Sequence, residues 1–344
     1  MDYLKLFENH SQYESYVGGG GMLRPNVSHC IAENEVHYNP IPHDYSKDYL
    51  TLESLENDNT FVWESSNGSY SYTGNPISYS LDNGETWNSL SVGIIATVNS
   101  GDKILLKAIN SNYKYIGYSG IILTCEIHSS HSFNVYGNIL SMVYGDNFVN
   151  NNILNSELFT FAGCSIVSAE NLILPSEFGE NGAISSMFSN CADLVNAPEL
   201  PATTLAEGCY SDMFYGCTSL TTAPQLPATT LAYYCYGKMF AGCTSLTTAP
   251  ELPAITLANG CYSSMFWGCT SLQTAPELPA TTLASSCYKT MFRGCTSLTS
   301  EAIVPDSIDK PISGDYCSYM YCGCPITEKS GNYDVSAYDC YDPK

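Results

Sequence analysis

The chain has 344 residues, enough for two or three domains, with 12 Lys and Arg against 34 Asp and Glu, a formal charge of −22. That balance repels a phosphate backbone and an anionic membrane surface, which argues against nucleic-acid and membrane-surface partners. No apolar run approaches the roughly 20 residues that cross a bilayer, so membrane insertion is not expected.

Residues 1–50 read as irregular. Phe7 to Tyr16 could form a short helix, and Gly18-Gly19-Gly20-Gly21 then breaks it. The following stretch mixes strand-like pairs with prolines and is too polar to make its own core, so it is expected to order by docking onto something else. The opening Met1-Asp2-Tyr3-Leu4-Lys5 lacks the basic and apolar regions of a Sec signal, and export by that route is not expected.

Residues 51–155 read as a small antiparallel β-sandwich. Phe61-Val62-Trp63 and Ser69-Tyr70-Ser71-Tyr72 are strand-like, and Ile77, Tyr79 and Leu81 alternate with serines, the period of a half-buried strand. Asp82-Asn83-Gly84 supplies a turn, with Trp87 on the return strand. Lys103 to Ala108 and Phe133 to Tyr136 are further strands.

From about residue 156 to 324 the chain repeats. Met-Phe-Xaa-Gly-Cys-Thr-Ser-Leu begins at Met213, Met239, Met265 and Met291, a period of 26 residues, and 213–238 matches 239–264 at 19 of 26 positions. A fixed period of this size marks a solenoid, in which each turn buries its apolar edge against its neighbours. Degenerate copies stand at Phe161 and Met187, and Met320 lies 29 residues beyond Met291. Residues 325–344 are polar and atypical, as an end cap should be.

Of 16 cysteines, ten fall in repeat columns: Cys164, Cys191, Cys217, Cys243, Cys269 and Cys295, and Cys209, Cys235, Cys261 and Cys287. Identical residues in a column imply an identical environment, which fits small buried thiols rather than disulfides or metal ligands. Leu220, Ala223, Leu226 and Leu231 are the expected inward residues, with Met213, Phe214 and Cys217. The Leu-Thr-Thr-Ala-Pro piece is the expected strand, and Cys209 to Phe214 the expected short helical turn opposite it.

The pattern Met-Phe-Xaa-Gly-Cys-Xaa-Xaa-Leu-Xaa-Xaa-Ala-Pro-Xaa-Leu-Pro resembles the BspA-type (Treponema-like) leucine-rich repeats. It departs from them in a longer repeat and in Ala223, where a larger aliphatic is usual. The resemblance covers about 160–324 and implies a leucine-rich-repeat solenoid there. The whole chain is expected to be mostly β, with an N-terminal anchor segment (1–50), a β-sandwich domain (51–155), the solenoid with parallel strands and short helical turns (156–324), and a C-terminal cap (325–344). Phe7-Glu8-Asn9-His10-Ser11, Pro25-Asn26-Val27-Ser28 and Asn34-Glu35-Val36-His37-Tyr38-Asn39 are similar to the start of virion proteins of crAss-like phages of gut Bacteroidales. That similarity implies a head or tail fibre on the virion surface. It would be a homo-oligomer, with a trimer favoured, attached to other virion proteins through residues 1–50.

Little in the chain reads as catalytic. Ser80-Leu81-Asp82-Asn83-Gly84-Glu85-Thr86-Trp87 matches the Asp-box of sialidases, but a single copy without an arginine cluster reads as a hairpin device. His128 and His131, near Cys125, have no second ligand pair at zinc spacing and read as loop residues. Cys317, Cys322 and Cys324 read as the core of a capping turn. Sequons at Asn26 and Asn67 matter only in a glycosylating host. No cofactor, metal site or catalytic residue is expected.

The functional signal is where the repeats differ. The Xaa of Met-Phe-Xaa-Gly-Cys is Tyr215, Ala241, Trp267 and Arg293. The pair before each Cys-Tyr is Glu207-Gly208, Tyr233-Tyr234, Asn259-Gly260 and Ser285-Ser286, and the pair after it is Ser211-Asp212, Gly237-Lys238, Ser263-Ser264 and Lys289-Thr290. Positions that vary between near-identical turns should lie outside the core. Tyr215, Trp267, Arg293, Tyr233 and Tyr234 are the candidate binding residues, because such side chains form hot spots and aromatic faces stack on sugars. A further column, Glu199, Gln225, Glu251 and Glu277, reads as a solvated face. The expectation is a non-enzymatic adhesive protein that binds a host-surface glycan or protein. A bacterial cell-surface adhesin is the alternative, and a sialidase-like depolymerase a third reading.

Overall fold

The first strands form because apolar residues alternate. In the computed structural model, which describes residues 44–65, 76–110, 114–116, 122–155, 158–179, 184–307, 312, 314–326, 330–333 and 335–338, β9 (Phe133–Asn138) buries Phe133 and Val135 and leaves Asn134 and Tyr136 half-buried. Its partner β1 (Leu50–Ser54) buries Leu50 and Leu52 and pairs antiparallel with both β9 and β6 (Lys103–Lys107). The sheet continues through β3 (Ile77–Ser80) to β4 (Asn88–Leu90). A second sheet runs β5 (Gly93–Val98), β2 (Asn59–Ser65), β8 (Ile122–Ser129), β7 (Lys114–Ile116). Phe61 of β2 meets Phe133 of β9 edge-on at 5.0 Å, so aromatic packing links the two sheets.

Two expectations for this region change. The larger sheet is mixed, not purely antiparallel, because β11 (Ile166–Ser168) and β12 (Leu172–Ile173) join β9 in parallel. The strand at Ile77 ends at Ser80, so Leu81 is exposed and Ser80 is buried in its place. Ser80 is recruited by the hairpin: its Oγ donates to Asp82 Oδ1 (2.7 Å) and accepts from the Gly84 N–H (2.8 Å). The expected helix at Phe7 to Tyr16 and the strand at Ser69 to Tyr72 lie outside the described residues.

Aromatic rings carry the core from the sheets into the repeats. Trp63 meets Phe159, Phe159 meets Phe161, and Phe161 begins a stack through Phe188, Phe214, Phe240, Phe266 and Phe292 to Tyr321. Ring centroids in that stack are 5.6–6.0 Å apart, with planes within 12° of parallel. A second stack joins Tyr210, Tyr236, Tyr262 and Tyr288. From Asp44 onward the chain is one compact unit.

The segment expected as a helical turn is a run of overlapping β-turns. Ser211, Met213, Tyr215 and Cys217 donate backbone bonds three residues back, to Gly208, Tyr210, Asp212 and Phe214. The residues between them donate outward: Gly208, Tyr210, Asp212, Phe214 and Gly216 bond the carbonyls of Tyr233, Cys235, Gly237, Met239 and Ala241 one repeat on. A helix is excluded because every fourth residue is left-handed, with φ of 59° at Gly208, 55° at Asp212 and 71° at Gly216. On the other side of each repeat, the expected strand is reduced to single parallel bridges, Thr222 to Thr248 to Thr274. The prolines that follow each bridge lack the N–H a ladder would need.

The thiol columns are packed as expected, and all ten are buried thiols. Each thiol of the first column also has a donor's role. Cys217 Sγ donates to Phe188 O (3.1 Å), Cys243 to Phe214 O (3.1 Å), Cys269 to Phe240 O (3.0 Å) and Cys295 to Phe266 O (3.1 Å). Each carbonyl already accepts one local N–H, and the thiol fills its second lone pair. Burial pushes the thiols of Cys191, Cys235 and Cys269 up to about 12, so they stay protonated at neutral pH. At the far end Cys317 and Cys322 are buried and Cys324 is half-buried, and Cys322 is disulfide-bonded. Leu220, Ala223 and Leu226 are buried, whereas Leu231 is only half-buried.

Among the described residues the fold is mostly β, with α-helix limited to four-residue pieces, 3-10 helix to pieces of at most six, and several sheets, none of them closed. No helix among these residues is long and apolar enough to cross a membrane.

Candidate functional site

The overlapping turns place side chains in pairs, two inward and then two outward. From Ser285, the outward pairs are Ser285-Ser286, Lys289-Thr290 and Arg293-Gly294, and the inward residues between them are Cys287-Tyr288 and Met291-Phe292. The inward residues are those constant from repeat to repeat. Apart from the constant glycine of the last pair, the outward pairs are the positions at which the repeats vary, although short side chains there are still covered.

Trp267 and Tyr233 are exposed, at 44% and 55%. Tyr215 and Arg293 are half-buried, and the Arg293 guanidinium sits 6.0 Å from the centre of the Trp267 ring. Tyr234 is also half-buried. Its ring packs where a Cβ on Gly237 would lie, 2.3 Å from Cε1, and lies beside Gly260. Ala241, Ser211, Ser263 and Ser264 correct the expectation that the variable positions lie outside the core. Ala241 is 1% exposed and the three serines at most 9%, because such short side chains do not emerge from between the longer ones beside them. The structure therefore brings Trp267 and Arg293 together on one column and sets Tyr233 and Tyr234, 6.0 Å apart, on another.

Lys238, Lys289, Ser264 and Thr290 belong with Trp267 and Arg293. The Lys238 N–H bonds Ser263 O (2.9 Å), the Ser264 N–H bonds Lys289 O (2.8 Å), and the Gly268 N–H bonds Arg293 O (2.8 Å), so these side chains line consecutive turns of one edge. Ser264 Oγ and Thr290 Oγ1 are 2.6 Å apart. A charge count was the available signal: Lys238, Lys289 and Arg293 are the only basic residues between 151 and 300, against ten acidic ones.

The other candidates have structural roles. Thr86 donates from its N–H and its hydroxyl to Asp82 (2.9 and 2.5 Å), and these bonds hold that carboxyl down at about 2. Trp87 Nε1 donates to Gly84 O (3.1 Å), closing the hairpin. Lys107 Nζ lies 3.9 Å from the Trp87 ring centre and 2.7 Å from Asp146 Oδ1, and Tyr49 Oη donates to the same carboxylate at 2.6 Å. Burial and then Asp146 push the Tyr49 hydroxyl up to about 12. This clamp joins four residues far apart in the chain, of which only Trp87 lies in a sequence motif.

His128 is not in a loop. It lies on β8, with Nε2 3.0 Å from Glu126 Oε2 and 3.7 Å from Glu64 Oε1, and the bond to Glu126 raises its pKa. Among the described residues no cluster of three or more His, Cys, Asp or Glu is arranged to hold a metal ion. Glu199, Gln225, Glu251 and Glu277 are exposed. The sequons at Asn26 and Asn67 lie outside the described residues.

No protein-family profile, curated protein or solved structure matches this chain.

Proposed function

We propose that the chain is a non-enzymatic adhesive protein whose repeats form a leucine-rich-repeat solenoid and present its outward pairs to a glycan or protein on a host surface. One observation carries this reading. The inward residues are held constant from turn to turn, while the outward pairs differ and include the exposed Trp267 and Tyr233. Aromatic side chains held on a rigid ladder bind at a low entropy cost, because the partner is met by a surface that is already ordered.

The sequence of residues 1–50 supports placing this display on a virus particle as an oligomeric head or tail fibre, fixed through that segment to other virion proteins. The β-rich part, read as a sandwich, would be the spacer. Antibody detection in purified particles and in bacterial outer membranes separates the two locations. Enrichment in particles supports the fibre, whereas enrichment in the outer membrane replaces it with a cell-surface adhesin. Purified protein should also adhere to host cells without releasing sugar. Measurable release of sugar from mucin or capsule would overturn the non-enzymatic reading.

A further inference from the structure

The backbone of the repeats contains three left-handed columns, two of which are filled in opposite ways. At Gly216, Gly242, Gly268, Gly294 and Gly323 the left-handed residue is glycine, with φ between 71° and 78°. Four residues earlier in each turn the same region of φ, 53° to 59°, is occupied by Asp212, Lys238, Ser264, Thr290 and Tyr319, and never by glycine, whereas the third column mixes Gly208 and Gly260 with Tyr234 and Ser286. A residue with a Cβ pays of order 1 kcal/mol or more there, and a β-branched threonine is a genuine outlier. From Asp212 to Thr290 the residues of the second column, which meet this cost, are all polar or charged. In this column they stand on the same edge as Trp267 and Arg293.

Charge sharpens the point. Over residues 151–300 acidic residues outnumber basic ones ten to three, yet the three basic residues, Lys238, Lys289 and Arg293, all occupy outward positions within three consecutive turns. Between them lie the exposed Trp267 ring and the half-buried Thr290, whose hydroxyl is paired with that of the buried Ser264. A ring face with adjoining cations matches a sugar bearing an anionic group. The pyranose C–H face stacks on indole, and the carboxylate or sulfate meets guanidinium and ammonium.

We propose that the edge formed by Lys238, Trp267, Lys289, Thr290 and Arg293 binds an acidic glycan, one carrying carboxylate or sulfate groups. This rests on the adhesive reading above and names the class of ligand for it. The net charge of the chain repels anions at long range, but that field is screened over about 8 Å in physiological salt, and the local cations act within it.

The test uses the full chain and matched probes, sialyllactose against lactose and chondroitin sulfate against desulfated chondroitin, titrated by calorimetry. The edge should bind at least one acidic member at least tenfold more tightly than its neutral partner, with affinity falling as salt is raised. Arg293→Gln combined with Lys289→Gln should abolish the preference, and Trp267→Ala should weaken both members of the pair. Melting temperatures check that each variant is folded, and Arg293→Lys, which keeps the charge, should restore part of the preference. Equal binding of acidic and neutral probes, or affinity that rises with salt, overturns the acidic ligand and leaves the adhesive reading standing. No binding of any probe by a protein that still adheres to host cells overturns it as well and points to a protein receptor. Loss of adhesion altogether removes both readings.

Discussion

Replacing Cys243 tests whether the thiol column is more than filler. Cys243 is fully buried, and its Sγ donates to Phe214 O at 3.1 Å, a carbonyl that also accepts from the Cys217 N–H. Alanine removes one buried sulfur and one weak bond but leaves the carbonyl with its local partner. The transfer and cavity terms for a group of this size come to about 1–1.5 kcal/mol, and the lost bond adds about 0.5–1 kcal/mol. Cys243→Ala should therefore cost about 2 kcal/mol. Serine keeps a donor at nearly the same place and should cost less than alanine, about 1 kcal/mol. Urea unfolding of the two variants beside the parent measures both. If serine costs more than alanine, the thiols serve as small apolar groups only, and the hydrogen-bond ladder contributes nothing. Native protein should also leave its column thiols unmodified by a thiol reagent, since burial pushes the pKa of Cys235 up to about 12.

Gly137→Ala should cost about 3 kcal/mol or more by thermal unfolding, because φ there is 81° and a Cβ would lie 2.0 Å from Tyr49 O, a backbone atom that cannot yield. His128 titrates at a higher pH in the folded chain than the ordinary value of about 6.5. Its bonds to Glu126 and Glu64 thus stabilise fully below about pH 6.5 and fade as pH rises through the folded pKa, and His128→Gln should remove that component of the melting-temperature profile. Asp82 runs the other way. Its pKa of about 2 lies below the unfolded value, so its contribution is present above about pH 4 and is lost as pH falls toward 2. Asp82→Asn should lower the melting temperature at pH 7, and the difference from the parent should shrink in acid.

Much of the packing was legible because the chain writes the same turn several times. Met213, Phe214, Cys217 and Leu220 recur unchanged, and each is buried. The turn conformation was not legible. Asp212, Lys238, Ser264 and Thr290 carry no glycine to announce a left-handed backbone, and apolar spacing alone cannot distinguish overlapping turns from a helix. Variation does not measure exposure: Ala241, Ser263 and Ser264 vary between repeats, yet such short side chains are covered by their neighbours even at an outward position. The Tyr49, Trp87, Lys107 and Asp146 clamp depends on which strands pair, and that order is a property of the folded sheet. Within the binding edge, Trp267 and Arg293 stood out as residue types. Lys238 and Lys289 gained meaning only when the ladder placed them on the same side.

The central claim is that constant inward residues support a variable outward edge that does the binding. An alanine scan of the outward pairs from Glu207 to Arg293, read as adhesion of the purified protein to host cells with a melting temperature for each variant, tests it most directly. The account predicts that the loss concentrates at Trp267, Arg293 and their neighbours on that edge, with melting temperatures unchanged. Uniformly small losses along the edge, or adhesion that survives the whole scan, would contradict it.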